Sequence, residues 1–442
     1  MQDYFHSVQL DPDKCQGCVT CIRRCPTEAI RVRDGKATIT KARCIDCGEC
    51  IRACPTNAKS AFTDNLIDLS KYKYNIALPA PSLYAQFSPS VSIDKILESL
   101  TIIGFDDVFE VAIGAEIVSL AIKEYLKESL DIPKPLISTA CPAIVRLIQV
   151  KYPELIENLT PFPAPLEIAA NFARQEAVKK LKIDPKDIGT WFITPCPAKM
   201  TATKVPLGSE TSEVSGTIAI NRIYGELLNI INQKTTEPKR PFKKSSHIGI
   251  GWAVSGGESI AIEAGNNLVV SGMYNAINVF DQISLGKLAD LDHIEVLACP
   301  GGCIGGVLTV ENRHVAEHRL RQRLKDELEK AKVSPLVQKD YSKEIKTINK
   351  LSKIDANPSL ALDQDISQAI HKLDVMDRTL KELPGLDCGS CGSPTCKTLA
   401  EDIVQNKASE TDCIFILRKR VGELANRMVT LATKMPPPLD RK

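Results

Sequence analysis

The alternation of apolar and polar residues predicts short elements of both kinds along the chain. Residues 29–40 form two alternating runs around Asp34-Gly35, which predicts a β-hairpin. Residues 91–104 carry apolar side chains at helical spacing and close on a glycine, which predicts an amphipathic helix. Residues 413–435 keep helical spacing up to three consecutive prolines. We interpret their apolar stripe chiefly as packing within its own domain, with docking of a dimer mate or a partner as the alternative.

Between residues 74 and 330 the pattern becomes a succession of strands and helices. Apolar strand-like runs alternate with helix-like stretches, which indicates an α/β domain within a chain that is α+β overall. The predicted strands are YNIALPAP (74–81), PLISTA (135–140), IGTWFITP (188–195), HIGIGWAV (247–254), NLVVSGM (267–273) and HIEVLACP (293–300). A charged helix over 314–332 leaves this region.

Composition then excludes several classes of function. The 442 residues are 43% hydrophobic and 25% charged, as in ordinary globular proteins. Lys plus Arg total 56 against 54 for Asp plus Glu, so the net charge of +2 gives no reason to expect nucleic acid or an anionic membrane as a partner. No apolar run reaches the roughly 18–20 residues of a membrane span. The N-terminus also lacks a signal-peptide pattern. We therefore expect a cytoplasmic protein.

Sixteen cysteines fall into four sets of four, and in a reducing compartment such sets indicate metal sites rather than disulfides. Two sets follow the spacing C-x2-C-x2-C-x3-C-P, in which the fourth cysteine of each run ligates the other cluster. Zinc, the alternative, normally uses separated C-x2-C pairs. The predicted 4Fe–4S ligands are Cys15, Cys18, Cys21 and Cys54 for one cluster, and Cys44, Cys47, Cys50 and Cys25 for the second.

A third set lies near the C-terminus, where a Gly/Pro loop carries three cysteines and a helix returns the fourth. Its members are Cys388, Cys391, Cys396 and Cys413. The arrangement resembles the small 4Fe–4S domain of the B subunit of Rnf electron-transport complexes and of corrinoid iron–sulfur proteins, with zinc again as the alternative. Together the three compact sets predict three 4Fe–4S clusters.

The central set is too dispersed for its spacing to identify a metal; it comprises Cys141, Cys196, Cys299 and Cys303. The motifs around it are STACPA at 138–143, TPCPAK at 194–199 and EVLACPGGCIGG at 295–306. Over residues 75–330 they resemble, in order and approximate separation, the catalytic domain of iron-only (FeFe) hydrogenases. The resemblance implies a two-lobed H-cluster domain, preceded by a ferredoxin-like two-cluster domain and followed by a small helical 4Fe–4S domain.

The chemistry that this resemblance implies is the interconversion of H2 with protons and electrons. The four central cysteines would hold the cubane of the H-cluster, and Cys303 would bridge to a diiron subsite carrying CO, cyanide and a dithiolate amine. Lys199 matches a lysine that donates to a cyanide, and Ser82 matches a second polar contact. The resemblance also implies maturation enzymes and an electron-carrying partner, either ferredoxin or a flavin- or NADH-oxidising subunit, within a homodimer or a multi-subunit complex.

The departures from the family pattern concern proton supply. Ala140 stands where fast family members have a proton-passing cysteine, and a methyl group cannot carry a proton. Ile122 and Ala202 stand where relay glutamates are expected, whereas Thr160 keeps a hydroxyl in place of the relay serine. General acid–base assistance is worth about 10²–10⁴-fold, so we expect slow turnover or another proton route.

Glu116 and Glu124 are the acidic candidates for such a route. The same departures leave two other functions open. One is an H2 or redox sensor with the same cluster, and the other is an electron-transfer or scaffold protein without the diiron subsite. Lys199 and Ser82 favour the enzyme over the scaffold.

The predicted domain organisation follows the cysteine sets. Residues 1–73 form the two-cluster domain and residues 74–330 the H-cluster domain. Residues 331–382 form a partly helical linker, and residues 383–442 form the C-terminal 4Fe–4S domain with its terminal helix.

Overall fold

A computed structural model of the chain describes two compact units. The described residues are 5–128, 132–233, 237–238, 241–333 and 341–434. The first unit contains the described parts of Met1–Gln9, Ile45–Arg52 and Ser60–Asn357, and the second contains those of Leu10–Cys44, Ala53–Lys59 and Pro358–Lys442. The predicted domain boundaries stay a prediction.

The strands are short. Across the described ranges they are β1 (Val8–Leu10), β2 (Ile30–Arg33), β3 (Lys36–Ile39), β4 (Lys59–Ala61), β5 (Tyr74–Pro79), β6 (Asp107–Val108), β7 (Leu136–Ile137), β8 (Ile188–Thr194), β9 (Gly216–Ala219), β10 (Asn267–Ser271) and β11 (His293–Leu297).

The helices alternate with the strands in the middle of the chain and follow one another near its end. They are α1 (Thr20–Arg23), α2 (Glu49–Ala53), α3 (Ile93–Ile103), α4 (Val111–Glu128), α5 (Pro142–Lys151), α6 (Pro165–Leu181), α7 (Pro197–Lys204), α8 (Ile220–Gln233), α9 (His247–Gly251), α10 (Gly257–Ile262), α11 (Met273–Ser284), α12 (Arg313–Val333), α13 (Ser342–Ile345), α14 (Ile366–Glu382), α15 (Cys396–Val404) and α16 (Ile414–Ala432). Within these ranges no helix is both long and apolar enough to cross a membrane.

A four-stranded parallel sheet organises the first unit, in the order β6-β5-β8-β9. Because successive side chains of a strand point to opposite faces, Ile76 and Leu78 pack in the core formed with α4 and α6. Ala77 instead faces the core formed with α3 and α8. Helices therefore cover both faces of the sheet, as in other parallel sheets. This arrangement confirms the predicted α/β fold class.

A second parallel sheet forms the other lobe of this unit, in the order β10-β11-β7. Every residue of β11 is buried, including its two polar members His293 and Glu295. The strands predicted over 74–81, 135–140, 188–195, 267–273 and 293–300 are confirmed in these two sheets, although β7 covers only two residues.

The prediction of a strand over residues 247–254 is wrong, because residues 247–251 form α9. Ser246 caps this helix: its side chain accepts a hydrogen bond of 3.2 Å from the Ile248 amide. The Ser246 amide and hydroxyl in turn donate to the buried Glu116 carboxylate. A short apolar run cannot be distinguished from a buried helical turn by periodicity alone, and this capping decides the conformation.

The second unit contains the hairpin of β2 and β3, which is antiparallel and pairs Ile30 with Ile39, as predicted. It also contains the C-terminal segment, where Leu399, Ala400, Cys396 and Cys413 form a small core. Of the partly helical linker predicted over residues 331–382, α14 is helical in this unit and α13 is helical in the first unit, whereas residues 334–340 lie outside the described residues.

The terminal helix α16 forms as predicted, but the interpretation of its apolar stripe as packing within its own domain is wrong. Among its residues, all of which the structure describes, none is buried. Leu424 is 59% exposed, Met428 70% and Leu431 68%. Only the first turn approaches the small core, through the partly buried Ile416. After that turn, no described element of the second unit covers the stripe.

Candidate metal centre

Two of the three central motifs place a cysteine at the start of a helix. Cys141 is the N-cap of α5 and Cys196 is the N-cap of α7, and a proline follows each at the first helical position. Proline is favoured there because its fixed φ suits the helix and its missing N–H would be unpaired anyway. The repeated Cys-Pro pair therefore places each of two thiols at the positive N-terminal end of a helix. Such an environment favours an anionic cluster.

The third motif forms a tight loop after β11. Gly302 has φ 97°, and a Cβ at this position would lie 2.7 Å from the Ser255 amide nitrogen. A Cβ on Gly306 would lie 2.3 Å from the Pro195 carbonyl oxygen. Only glycine fits these close approaches. The glycines thus hold Cys299 and Cys303 against the loop that carries the second motif.

The four cysteine thiols are better suited to bind a metal cluster than to remain as free thiols. Burial raises the pKa of Cys141 and of Cys299, and it raises that of Cys196 to about 12. Buried thiols lose their protons readily only when a metal binds them, so metal binding is the chemistry that this donor set favours. Burial opposes the charge of the Lys199 ammonium, but the four surrounding cysteines, Cys303 foremost, outweigh it and raise the Lys199 pKa.

A cavity of about 40 Å³ adjoins Cys303, and its lining brings together Ser82, Ala140 and Lys199. Ser82 lies in a 3-10 helix that follows β5 and is completely buried, yet its Oγ has no hydrogen-bond partner in the structure. A buried hydroxyl without a hydrogen-bond partner destabilises the fold unless a ligand accepts a hydrogen bond from it. The lining therefore fits a group with hydrogen-bond acceptors beside Cys303.

Two buried glutamates, Glu258 of α10 and Glu295 of β11, line the same cavity. Ser138 Oγ donates to Glu258 Oε2 at 2.6 Å and accepts from the Ala140 amide at 3.2 Å. Glu258 Oε1 lies 3.4 Å from Nε2 of His293, which is also fully buried. Burial, followed by the charge of Glu258, raises the pKa of Glu295 to about 7. Glu295, an acid poised near neutral pH, thus faces the site beside a second buried carboxylate.

Neither glutamate was predicted from the sequence, although one signal was available. Glu295 and His293 interrupt the apolar run HIEVLACP, and charged residues are rarely fully buried unless they are paired. Of the acidic candidates chosen instead, Glu124 is exposed on α4. Glu116 is buried, and its Oε1 accepts from the Ser246 amide at 2.6 Å and hydroxyl at 2.8 Å. Neither residue lines the cavity beside Cys303.

One of the expected relay positions, Ala202, lies at a second, larger cavity of about 200 Å³. Ala202 and Thr139 line it together with mostly apolar side chains. Thr139 Oγ1 donates to the Phe162 carbonyl at 2.9 Å, so Thr160, at 2.7 Å, is the hydroxyl that donates to Thr139. Thr160 is buried and does not line the cavity beside Cys303. Glu167 and Glu213 also line this larger cavity, and burial raises the pKa of Glu167.

The two N-terminal cysteine runs repeat one structural device. The Ala29 amide donates to Cys25 Sγ at 3.2 Å, and the Ala58 amide donates to Cys54 Sγ at 3.3 Å. Each cysteine also lies close to the threonine two residues later, with Sγ–Oγ1 distances of 3.8 and 3.6 Å. Hydrogen bonds to cluster sulfurs help to set reduction potentials. Within the second unit, Cys15, Cys18 and Cys54 interact electrostatically with Cys21.

The C-terminal cysteine loop packs against the hairpin of the same unit. The Val32 amide donates to the Gly392 carbonyl at 2.8 Å, and Arg33 donates to the Cys391 carbonyl at 2.6 Å. Asp402 of α15 is buried and accepts from Arg31 Nε at 2.6 Å and from Arg33 Nη2 at 3.0 Å. This ion-pair network fixes the cysteine loop to the hairpin.

Replacing Asp402 with alanine is expected to release this loop, because two arginines would be left without their buried carboxylate. Breaking such a pair costs about 3–5 kcal/mol. Hydrogen exchange of α15 should accelerate accordingly. Asp374→Ala is the matched control, since its pair with Arg378 is exposed and such pairs contribute about 0–1 kcal/mol. Equal exchange rates in the two variants would contradict the prediction.

The fold and the site define an iron–sulfur protein whose α/β unit holds four partly buried cysteines beside a small cavity. The family model described as the C-terminal domain of the iron-only hydrogenase large subunit matches residues 73–307. The 4Fe-4S dicluster model matches residues 7–55, and an Fe–S cluster model matches residues 383–415. The first match spans more than half of the chain, so the protein belongs to the iron-only hydrogenase family.

Several known proteins are similar to this chain. The periplasmic Fe hydrogenase large subunit of Nitratidesulfovibrio vulgaris is 29% identical over 69% of this chain and 86% of its own length. Iron hydrogenase 1 of Clostridium pasteurianum is 24% identical over 53% and 50%. A probable cytosolic Fe-S cluster assembly factor of Caenorhabditis elegans is 23% identical over 45% and 54%. A solved structure of FeFe-hydrogenase HydA1 from Chlamydomonas reinhardtii, 16% identical, covers 66% of this chain and 98% of its own, with a TM-score of 0.48.

Proposed function

We propose that this protein interconverts H2 with protons and electrons at an H-cluster held by the four central cysteines. One observation carries the proposal: the partly buried Lys199 and an unpaired buried hydroxyl, Ser82, line one cavity with Cys303. Such donors suit a ligand that presents anionic acceptors. A cubane alone would leave the Ser82 hydroxyl without a partner.

Some residues of the site would hold and orient the cofactor, and others would supply protons. Cys141, Cys196, Cys299 and Cys303 would hold the cubane, and Cys303 would also bridge to the diiron subsite. Lys199 and Ser82 would orient that subsite through hydrogen bonds to its cyanide ligands. When bound, the cofactor supplies the redox chemistry of hydrogen, and the protein supplies its position, polarity and protons.

The proton route is proposed to run through Glu258 and Glu295 instead of the family's cysteine. Ala140 offers no side-chain donor, but its amide contacts Ser138 Oγ, which is bonded to Glu258. Glu258 lies between this serine and His293, so it can take a proton from one side and present it to the cavity on the other. Glu295 of β11 is the second acid of this proposed route.

Electrons are proposed to travel through the three other clusters to a redox partner. Within the second unit, the cysteine loops of two of them lie close together, because a Cβ on Gly389 would be 3.5 Å from Val19 Cβ. The Arg23 guanidinium also donates to the Cys388 carbonyl. The partner is either ferredoxin or a flavin- or NADH-oxidising subunit, and maturation enzymes would install the diiron subsite. A cytoplasmic location belongs to the same proposal.

Infrared spectroscopy of the matured, anaerobic protein tests the cofactor assignment. Cyanide and carbonyl stretching bands are expected after maturation and not before it. Iron–sulfur absorbance without these bands would overturn the assignment and favour the scaffold function, which the similarity to a cluster assembly factor keeps as an alternative.

A second candidate function is an H2 or redox sensor that uses the same site. The alanine at position 140 favours it, because losing a proton-passing group slows turnover. The rate of H2 evolution by the matured protein separates the two functions. Sustained turnover with a chemical electron donor supports the enzyme, whereas bands that respond to H2 without sustained turnover support the sensor.

A further inference from the structure

The terminal helix α16 exposes an apolar surface that the fold does not use. It spans 19 residues, and none of them is buried. Val421 is 56% exposed and Leu424 59%, and Met428 and Leu431 are exposed further still. Large apolar side chains that stay exposed along one helix usually mark an interaction surface.

The spacing of these residues defines a coiled-coil seam. Six apolar residues recur at alternating intervals of three and four, which is the heptad pattern of positions a and d. Ile414, Val421 and Met428 occupy position a, and Leu417, Leu424 and Leu431 occupy position d. Two of the three a residues are β-branched and every d residue is leucine. This combination favours parallel two-stranded coiled coils.

The flanking charges select the orientation of a second copy. Positions g carry Arg420, Arg427 and Lys434, whereas positions e after the first turn carry Ala425 and Ala432. In a parallel pair each g residue faces an e residue of the other helix, so Arg420 meets Ala425 and no like charges oppose each other. An antiparallel pair would instead place the arginines of position g opposite one another.

We propose that α16 forms a parallel, in-register coiled coil with α16 of a second copy of this chain. Cys413, the N-cap of this helix and a predicted cluster ligand, immediately precedes the seam. Paired helices lie about 8–10 Å apart, so the coiled coil brings the two C-terminal cysteine sets to the same end of the helix pair. The dimer would thus join two electron-carrying chains where their last clusters meet.

Sedimentation of the full-length, cluster-loaded protein tests the dimer. We expect a concentration-dependent dimer with a dissociation constant on the order of micromolar, because the seam spans fewer than about three heptads. Leu424→Asp should raise that constant at least about 100-fold, since it places a charge in the seam. Val429→Asp is the matched control, because Val429 is 64% exposed on the same helix but lies at position b. It should leave the dimer unchanged.

The Ala432→Glu variant tests the orientation. In a parallel dimer the new carboxylate faces Arg427 of the other copy and tightens association several-fold, whereas in an antiparallel dimer of the same seam no residue of α16 at position e lies opposite it, so association stays unchanged. Iron content and helicity should stay at wild-type values in all three variants. A wild-type monomer at all concentrations, a dimer insensitive to Leu424→Asp, or unchanged or weaker association of Ala432→Glu would each overturn the proposal.

Discussion

Replacing Glu258 with glutamine is expected to lower H2 turnover by about 10²–10⁴-fold, the usual contribution of a positioned acid or base. The cyanide and carbonyl bands of the matured protein should persist, because the amide keeps the size and the hydrogen bond of the side chain. Turnover with a chemical electron donor and infrared spectra of the same sample together measure the effect. The prediction rests on the proposed function.

The geometry singles out Glu258 because it is the junction of the buried polar cluster. Its Oε2 accepts from Ser138 at 2.6 Å, and its Oε1 lies 3.4 Å from His293 Nε2 while lining the cavity beside Cys303. A glutamine at this position can accept a hydrogen bond but cannot give up and recover a proton at neutral pH. The proton path would therefore be interrupted while the packing is kept.

Glu295 should set the pH dependence of the same reaction. Burial and the charge of Glu258 raise its pKa to about 7, so it is protonated below that value and ionised above it. Because the protonated form is the donor for H2 evolution, the rate should fall as the pH rises through about 7. In Glu295→Gln this limb should disappear from the pH profile.

The controls separate proton transfer from general damage to the core. Glu116 is also buried, and burial also raises its pKa, but it is bonded to Ser246 and does not line the cavity. Glu116→Gln should therefore keep nearly full turnover. Adding the family's cysteine through Ala140→Cys should restore part of the activity that Glu258→Gln loses. If Glu258→Gln retained wild-type turnover and pH profile, the proposed route would be excluded.

These residues show where prediction from the sequence ends. The cysteines could be grouped because three sets have local spacing and the fourth lies in recognisable motifs, although their ligand roles stay a prediction. Glu258 and Glu295 belong to separate segments, and only the packing of α10 against β11 brings them to one cavity. A single sequence does not encode such a distance, so the two acids were missed while more local candidates were chosen.

The fold shows the same division between local and long-range information. The hairpin at Asp34-Gly35 and the helix closing on Gly104 were predictable because their signals are local turn and cap residues. Residues 247–254 were mistaken for a strand because their conformation depends on Glu116, which is distant in the sequence. The stripe on α16 was assigned to its own domain because helical spacing alone does not show what a face packs against.

Replacing Lys199 with methionine is expected to abolish H2 turnover and the cyanide and carbonyl bands together. Methionine keeps the length and the apolar stem of the side chain but removes the ammonium. An anionic group that loses such a cationic partner is destabilised by about 3–5 kcal/mol, which corresponds to retention of the diiron subsite falling by on the order of 10²–10⁴-fold. The 4Fe–4S absorbance should remain, because the four cysteines are unchanged.

Lys204→Met is the matched control, because Lys204 lies at the end of the same helix and is exposed. It should keep the wild-type bands and turnover. Iron content measured beside the infrared spectrum distinguishes loss of the diiron subsite from loss of the cubane. If Lys199→Met kept both the bands and the turnover, the cavity beside Cys303 would not hold an anionic ligand on this ammonium. The observation that carries the enzyme function would then support only a cubane, as in the scaffold alternative.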